Sequence, residues 1–334
     1  MTATIRGTTA ERYSRILSVG AYRPERVVSN AEICAYTGLK EEWIELRSGI
    51  HTRRYAGADE PLPVMATTAA AKALAAAGME GRQLGCVIAA TITHMLQTPA
   101  LAVDVAHRLG ARDAAAFDVS AACAGFCHGL ALANTLVSAG QVDYALVIGS
   151  ERMTDILDHE DRDTAFIFAD GAGAVVVGPS DTPGIGPAVW RADGSRSSVL
   201  GMTDYWTPEL KEDPDRWPVI QMSGWKVYRW ATNELAPAAR EIVRLAGIGV
   251  EDLDAFIPHQ ANMLITDHLV QELGLAEHTV VARDIAEAGN TSAASIPLAM
   301  ERMLSSGEVA SGALGLLLGF GAGLVFAGQV VRLP

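Results

Sequence analysis

The chain has 334 residues, of which 49% are hydrophobic and 19% charged, with 32 glycines and a formal net charge of -13. That length and apolar content exceed one ordinary core and predict two domains or two fused halves, and they exclude disordered and fibrous classes. The acidic balance argues against general nucleic-acid binding and against adsorption to anionic membranes, since both need a basic surface.

From the N-terminus, Met1 to Arg15 carries Arg and Thr but no apolar run, so it does not read as a signal peptide. Helices are expected at Val64–Ala77, Ala100–Leu109 and Ala124–Ser138. Between them fall short apolar runs, Cys86–Ala90, Tyr144–Gly149 and Ala174–Gly178, and a further strand ends at Val119. Apolarity that is continuous rather than alternating marks strands buried on both faces, and their alternation with helices predicts an α/β fold.

A Pro- and Gly-rich stretch at Pro179–Pro187 reads as a boundary, which gives two halves, 1–180 and 181–334. Asp193 to Pro218 reads as an irregular surface excursion. The second half then repeats the first: strand Leu253–Ile257, helix Ile265–Leu273, strand Val280–Ala282, helix Ser292–Leu304, and closing strands Leu314–Leu318 and Gly323–Ala327. A Gly-Ala-Gly triad precedes an apolar strand in each half, at 171–173 and 321–323. A small-residue turn opens a helix in each, at Ser120–Cys123 and Asn290–Ala294. This is the signature of an internal duplication. The apolar stretch Ala313 to Gly328 is interrupted by glycines and too short to span a bilayer.

Chemistry concentrates in four places. In Asp118-Val-Ser-Ala-Ala-Cys123-Ala-Gly-Phe126 a strand ends, small residues turn the chain, and Cys123 stands at a helix start. Unpaired N–H groups there place positive potential beside sulfur and favour a thiolate nucleophile. Cys34, Cys86 and Cys127 lack that context and read as buried hydrophobes, all four cysteines being free thiols of a reducing compartment. Cys123, Cys127 and His128 lack a second ligand pair at metal spacing, so no metal is expected.

In Pro258-His259-Gln260-Ala261-Asn262 a strand delivers a histidine at its C-terminal end, where ligand sites of open α/β sheets gather. His51, His107, His159, His268 and His278 read as ordinary surface or core residues. Gly289-Asn290-Thr291-Ser292-Ala293-Ala294-Ser295 reads on its own as a helix start, with Asn290 as a cap followed by small residues. Gly319-Phe-Gly-Ala322-Gly323 is a tight turn able to aim an N–H at an oxyanion.

These four motifs, in this order over essentially the whole chain, resemble the β-ketoacyl-ACP synthase III family, above all its actinobacterial members, including those that prime polyketide synthases. Glu41–Ile50 and Glu160–Gly178 extend the likeness. The resemblance implies a thiolase-like fold, two duplicated α/β halves stacked as a five-layered αβαβα sandwich, with the Cys in the first half and the His and Asn in the second. It implies a triad of Cys123, His259 and Asn290, with an oxyanion hole from the backbone N–H groups of Cys123 and Ala322.

In that scheme Cys123 takes an acyl primer from acyl-CoA. The primer then condenses with malonyl-ACP as CO2 leaves, starting fatty-acid or polyketide chains without metal or redox cofactor. The family's CoA contacts map onto Trp43, Arg47 and Arg162, with Arg229 and Asn262 at the entrance. Thr98 falls where a partner subunit shapes the acyl pocket. A cytoplasmic homodimer is implied, with neither nucleic acid nor membrane as partner.

Two positions depart from the family's pattern. Leu264 stands where an Arg is usual, so a docking charge for an acidic carrier protein is missing, and Trp225 stands where an amide often contacts the pantetheine arm. Two alternatives stay open: an acyltransferase passing the acyl group to an alcohol or amine, against which the retained Asn290 weighs, and a non-catalytic acyl-binding partner.

Overall fold

The computed structural model describes residues 12–207, 210 and 217–334. The chain opens with β1 (Tyr13–Tyr22), whose inward-facing residues alternate with exposed ones as on an edge strand. A short antiparallel pair, β2 (Arg26–Ser29) and β3 (Thr52–Tyr55), brackets helices α1 (Asn30–Thr37) and α2 (Glu41–Ser48). Ser29 caps α1 reciprocally with Glu32, and glycines 38 and 49 end the two helices in the left-handed conformation. Next come α3 (Leu62–Ala76), β4 (Cys86–Ala90), α4 (Leu101–Arg108), β5 (Ala115–Val119), α5 (Gly125–Ser138), β6 (Ala145–Arg152) and β7 (Asp170–Ser180). Strands β4 to β6 pair in parallel in the order β6-β4-β5, and β7 lies antiparallel between β1 and β6.

The second half contains β8 (Val189–Ala192), the small pair β9 (Leu200–Met202) and β10 (Ile220–Met222), α6 (Gly224–Leu245), β11 (Ala255–Pro258), α7 (Met263–Leu273), β12 (Val280–Val281), α8 (Ile285–Ala288), α9 (Ser295–Ser305), β13 (Leu314–Gly321) and β14 (Val325–Arg332). Its large sheet reads β8-β14-β13-β11-β12, which matches β1-β7-β6-β4-β5 strand for strand, parallel and antiparallel pairings included. The duplication expected from the sequence is thus present in the topology.

Helices α3 and α4 cover the outer face of the first sheet, and α6 and α7 that of the second. Helices α5 and α9 lie between the two sheets and touch both. Three apolar layers fill the gaps: one of alanines and leucines under α3 and α4, one around α5 and α9, and one under α6 and α7. This is the five-layered αβαβα sandwich. Both central helices are largely buried; α5 carries no charged residue, and α9 confines its two, Glu301 and Arg302, to its last turns, where they pair with Arg23 and with Asp284 and Glu287.

The structure adjusts several boundaries. Cys123 sits not in the first turn of α5 but in a 3-10 turn, Ala122–Ala124, just ahead of it, and Ser292–Ala294 makes the matching turn ahead of α9. Gly171-Ala172-Gly173 lies inside β7 rather than before it, because α9 packs close there: a side chain on Gly173 would meet Pro297 at 2.7 Å. Part of the excursion expected at 193–218 is ordered as a 3-10 turn at Gly194–Val199 followed by β9, while 208, 209 and 211–216 lie outside the described residues, as does nearly all of the expected N-terminal segment.

Candidate active site

The turn that carries Cys123 follows directly from its small residues. After β5, Ala121 and Ala122 swing the chain back, and Ala122 sits at φ 46°, a left-handed conformation that few non-glycine residues adopt. Ser292, at the same point of the second half, sits at φ 50°. Each turn is backed by the other half's glycine. A side chain on Gly149 would strike the Ala293 carbonyl at 2.2 Å, and one on Gly321 would lie 2.9 Å from the Cys123 sulfur. The two helix starts therefore meet between the sheets, and Cys123 faces the end of β13.

Cys123, His259 and Asn290 line one cavity of about 540 Å³. His259 continues β11: its N–H donates to the Leu318 carbonyl at 2.8 Å, and its ring is set edge-on to Phe320 at 5.2 Å. Nδ1 lies 2.7 Å from the Ser295 hydroxyl, which also accepts from the Gln260 N–H at 3.3 Å. That leaves the hydroxyl proton for Nδ1, and we assign the ring proton to Nε2. Burial lowers the histidine to about 3, so the ring is neutral. The backbone of Asn290 is clamped on both sides, its N–H donating to the Ile167 carbonyl and its carbonyl accepting from Ala169, each at 2.9 Å. Its side-chain oxygen accepts from the Ser292 N–H at 2.9 Å, which leaves the amide NH2 as the group free to donate.

At the sulfur one expectation is corrected. Burial raises the Cys123 thiol to about 12 and outweighs the lowering by the Ser292 hydroxyl and by the backbone N–H groups of Cys123 and Ala322. Desolvation of the buried sulfur thus favours the thiol over the thiolate expected from the helix start. The two N–H groups directed at the sulfur are the pair expected to form the oxyanion hole.

The cavity mouth gathers other expected residues. Trp43, exposed at the mouth, packs edge-on to Phe166 at 5.2 Å, and the Arg47 guanidinium lies 5.8 Å from the centre of its ring. Asn262 caps α7 by accepting from Leu264 N–H and ties it to α2 by donating to the Arg47 carbonyl, both at 2.9 Å. Leu264 (40% exposed) and Trp225 (69% exposed, stacked on Tyr228 at 5.9 Å) complete an apolar rim.

Three expected residues stand elsewhere. Arg162 is exposed beside Asp163, which does line the cavity; Arg229 lines a neighbouring depression that shares Trp225; and Thr98 is exposed on the loop before α4. All four cysteines are free. Among the described residues no group of three or more His, Cys, Asp or Glu is arranged to hold a metal, and no helix is long and apolar enough to cross a membrane.

Sequence reasoning missed Ser295, Ser292 and Glu151. Glu151 is fully buried at the end of β6 and accepts from the hydroxyls of Thr91 (3.1 Å), Thr93 (2.7 Å) and Ser292 (3.1 Å) and from the Ile92 N–H (3.1 Å). Ser292 and Ser295 sit within a motif already singled out; Glu151, in Gly-Ser-Glu-Arg, looks like a surface charge.

Duplicated α/β halves with a buried cysteine, histidine and asparagine between their sheets define a thiolase-like condensing enzyme. The model of 3-oxoacyl-[acyl-carrier-protein (ACP)] synthase III matches residues 117–194, and that of its C-terminal part residues 243–333. The chain belongs to this family. It is 51% identical to the β-ketoacyl-[acyl-carrier-protein] synthase III of Streptomyces glaucescens over 322 residues, covering 96% of this chain and 97% of that protein. It is also 51% identical to a Streptomyces coelicolor synthase III over 332 residues, with the same coverage. The priming β-ketosynthase of the R1128 polyketide pathway superposes with a TM-score of 0.97 at 49% identity, over 99% of both chains.

Proposed function

We propose that this enzyme transfers an acyl primer from acyl-CoA to Cys123 and condenses it with malonyl-ACP, with loss of CO2, to initiate fatty-acid or polyketide chains. The observation that carries this reading is the convergence of Cys123, His259 and Asn290 on one cavity. The Cys123 sulfur attacks the thioester carbonyl, and the oxyanion lies between the N–H groups of Cys123 and Ala322, donors of a kind typically worth about 10²–10³ in rate each. Splitting the reaction through an acyl-cysteine divides one hard step into two easier ones. The malonyl thioester carbonyl then takes hydrogen bonds from His259 Nε2–H and the Asn290 amide. Both donors are neutral, and they stabilise the enolate that forms as CO2 departs. The enolate carbon attacks the acyl-Cys123 carbonyl, and the thiolate leaves. These residues supply the chemistry without a metal or redox cofactor.

In this reading Trp43 and Arg47 meet the adenine and phosphates of CoA at the mouth beside Asn262, while Arg162 and Arg229, which lie outside the cavity lining, would reach CoA only beyond its rim. The apolar rim of Leu264 and Trp225 suits a thioester arm better than an acidic carrier, so carrier contact is weak at that point. The halves divide as 1–180 and 181–334, since β7 ends at Ser180 and β8 begins at Val189. We place the enzyme in the cytoplasm as a homodimer with Thr98 facing the partner's acyl pocket.

The test is incubation with acyl-CoA and malonyl-ACP. Release of CO2 with a β-ketoacyl-ACP is expected. Asn290→Ala should still acquire the acyl group but lose condensation by on the order of 10²-fold or more. Acylation without any condensation in the native enzyme would leave an acyltransferase instead.

A further inference from the structure

The condensing reaction needs a place for the Cys123 proton. Burial favours the thiol at the sulfur, and His259, the obvious base, is a poor proton acceptor because burial disfavours its cation, Nδ1 is engaged by Ser295 and Nε2 carries the ring proton. The remaining route leads the other way. The Ser292 hydroxyl donates to Glu151 Oε1 at 3.1 Å and faces the Cys123 sulfur on its other side, where its oxygen is free to accept the S–H proton. Glu151 in turn is fully enclosed and held by three hydroxyls and one backbone N–H, an arrangement that fixes a carboxylate far more firmly than packing requires. A charge this deep is costly and uncommon away from functional sites.

We propose that Glu151, reached through the Ser292 hydroxyl, accepts the Cys123 proton during acylation and returns it when the acyl group leaves. This deepens the reading above and rests on Cys123 being its nucleophile. In the first step the S–H proton passes to Ser292 Oγ while the Ser292 proton passes to the Glu151 carboxylate. The sulfur forms its bond to the acyl carbon, and the CoA thiolate departs and is protonated by solvent. In the second step the new carbon–carbon bond forms, the carbon–sulfur bond breaks, and Glu151 sends its proton back to the Cys123 thiolate through Ser292. Glu151 ends as it began.

Two further observations fit. Burial holds the Glu151 carboxyl at about 7, so near neutral pH the protonated and ionised forms lie close in free energy, as a reversible proton store needs. Its facing groups are neutral hydroxyls and the Ile92 N–H from the Thr91–Thr93 segment, and Ser292 from the other half. The adjacent Arg152 pairs instead with Asp155 at 3.1 Å, so Cys123 is the titratable group across the relay. Ser292 also keeps its left-handed backbone at φ 50° and so points its hydroxyl between the two acids, a conformation retained at a local cost.

Carboxamidomethylation of Cys123 by iodoacetamide, followed by peptide mass spectrometry across pH 5.5–10.5, needs neither CoA nor carrier. In the native enzyme the alkylation rate should rise with the ionisation of Glu151, near 7, because the carboxylate takes the sulfur's proton through Ser292 as the carbon–sulfur bond forms. In Glu151→Gln and in Ser292→Ala the inflection should move more than one pH unit higher, with acylation by acyl-CoA on the order of 10²-fold slower at pH 7. Glu151→Asp should recover part of the lower inflection. Unchanged profiles in both variants would overturn the relay. Should the variants fail to fold, the native profile decides alone: an inflection only above pH 9 overturns it. Acylation of Cys123 by acyl-CoA is scored separately, so the relay fails without the condensing reading failing with it.

Discussion

Acidity at single residues is set here by enclosure more than by charge. Cys123, Glu151 and His259 are all fully buried, and burial pushes each towards its neutral form. For His259 the folded-state value lies near 3, below the ordinary 6.5. The unfolded chain therefore binds more protons between those values, and stability is full above about pH 6.5 and is lost as pH falls towards 3. His259→Asn removes that proton uptake. Urea unfolding at pH 7.5 and 5.0 should show the native enzyme losing more stability than the variant, with a differential slope of up to about 1.4 kcal/mol per pH unit. Equal losses would mean that the imidazole is already hydrated and chargeable in the folded state.

Elements position these residues through close approach. Gly321 ends β13 against Cys123, and a side chain there would fall 2.8 Å from the Cys123 Cβ and 2.9 Å from its sulfur. Gly321→Ala should leave the fold intact, cost about 1–3 kcal/mol in thermal unfolding and slow acylation at least tenfold, because the sulfur must shift from its N–H donors. Unchanged acylation would show that the turn yields freely.

Much at this scale was legible in the sequence. Cys86–Ala90 is a strand over its full expected range, and the segments read as helices at 64–77, 100–109 and 265–273 differ from the observed ones by no more than two residues at either end. Buried parallel strands announce themselves by continuous apolarity. By contrast β1 alternates Arg, Ser and Tyr with apolar residues, and α6 carries Pro237 and three arginines, so neither gives a clean run. In the site, Cys123, His259 and Asn290 stood out because each closes a strand or opens a helix. Glu151 did not, because its partnership with Ser292 spans 141 positions and only the stacking of the two halves creates it.

For the whole molecule, stacking two similar sheets on a shared helical layer puts both helix starts at the centre. The first half offers a nucleophile at its turn, whereas the second offers Ala293 at the matching place and delivers Ser292 and Asn290 beside it. The β5 edge of the first sheet is only partly buried, and Phe117 on it is 36% exposed. An uncovered edge of this kind invites pairing with another copy. Light scattering should give twice one chain's mass at micromolar concentration, and Phe117→Lys should shift it towards a single chain. A native enzyme of one chain's mass would remove the role proposed for Thr98.

The most direct test follows the acyl group itself. The enzyme is incubated with acyl-CoA, the labelled peptide is mapped by mass spectrometry, and malonyl-ACP is then added. The acyl mass should sit on the peptide containing Cys123 and disappear as β-ketoacyl-ACP forms. A label on Cys34, Cys86 or Cys127, or one on Cys123 that malonyl-ACP never discharges, would contradict the account.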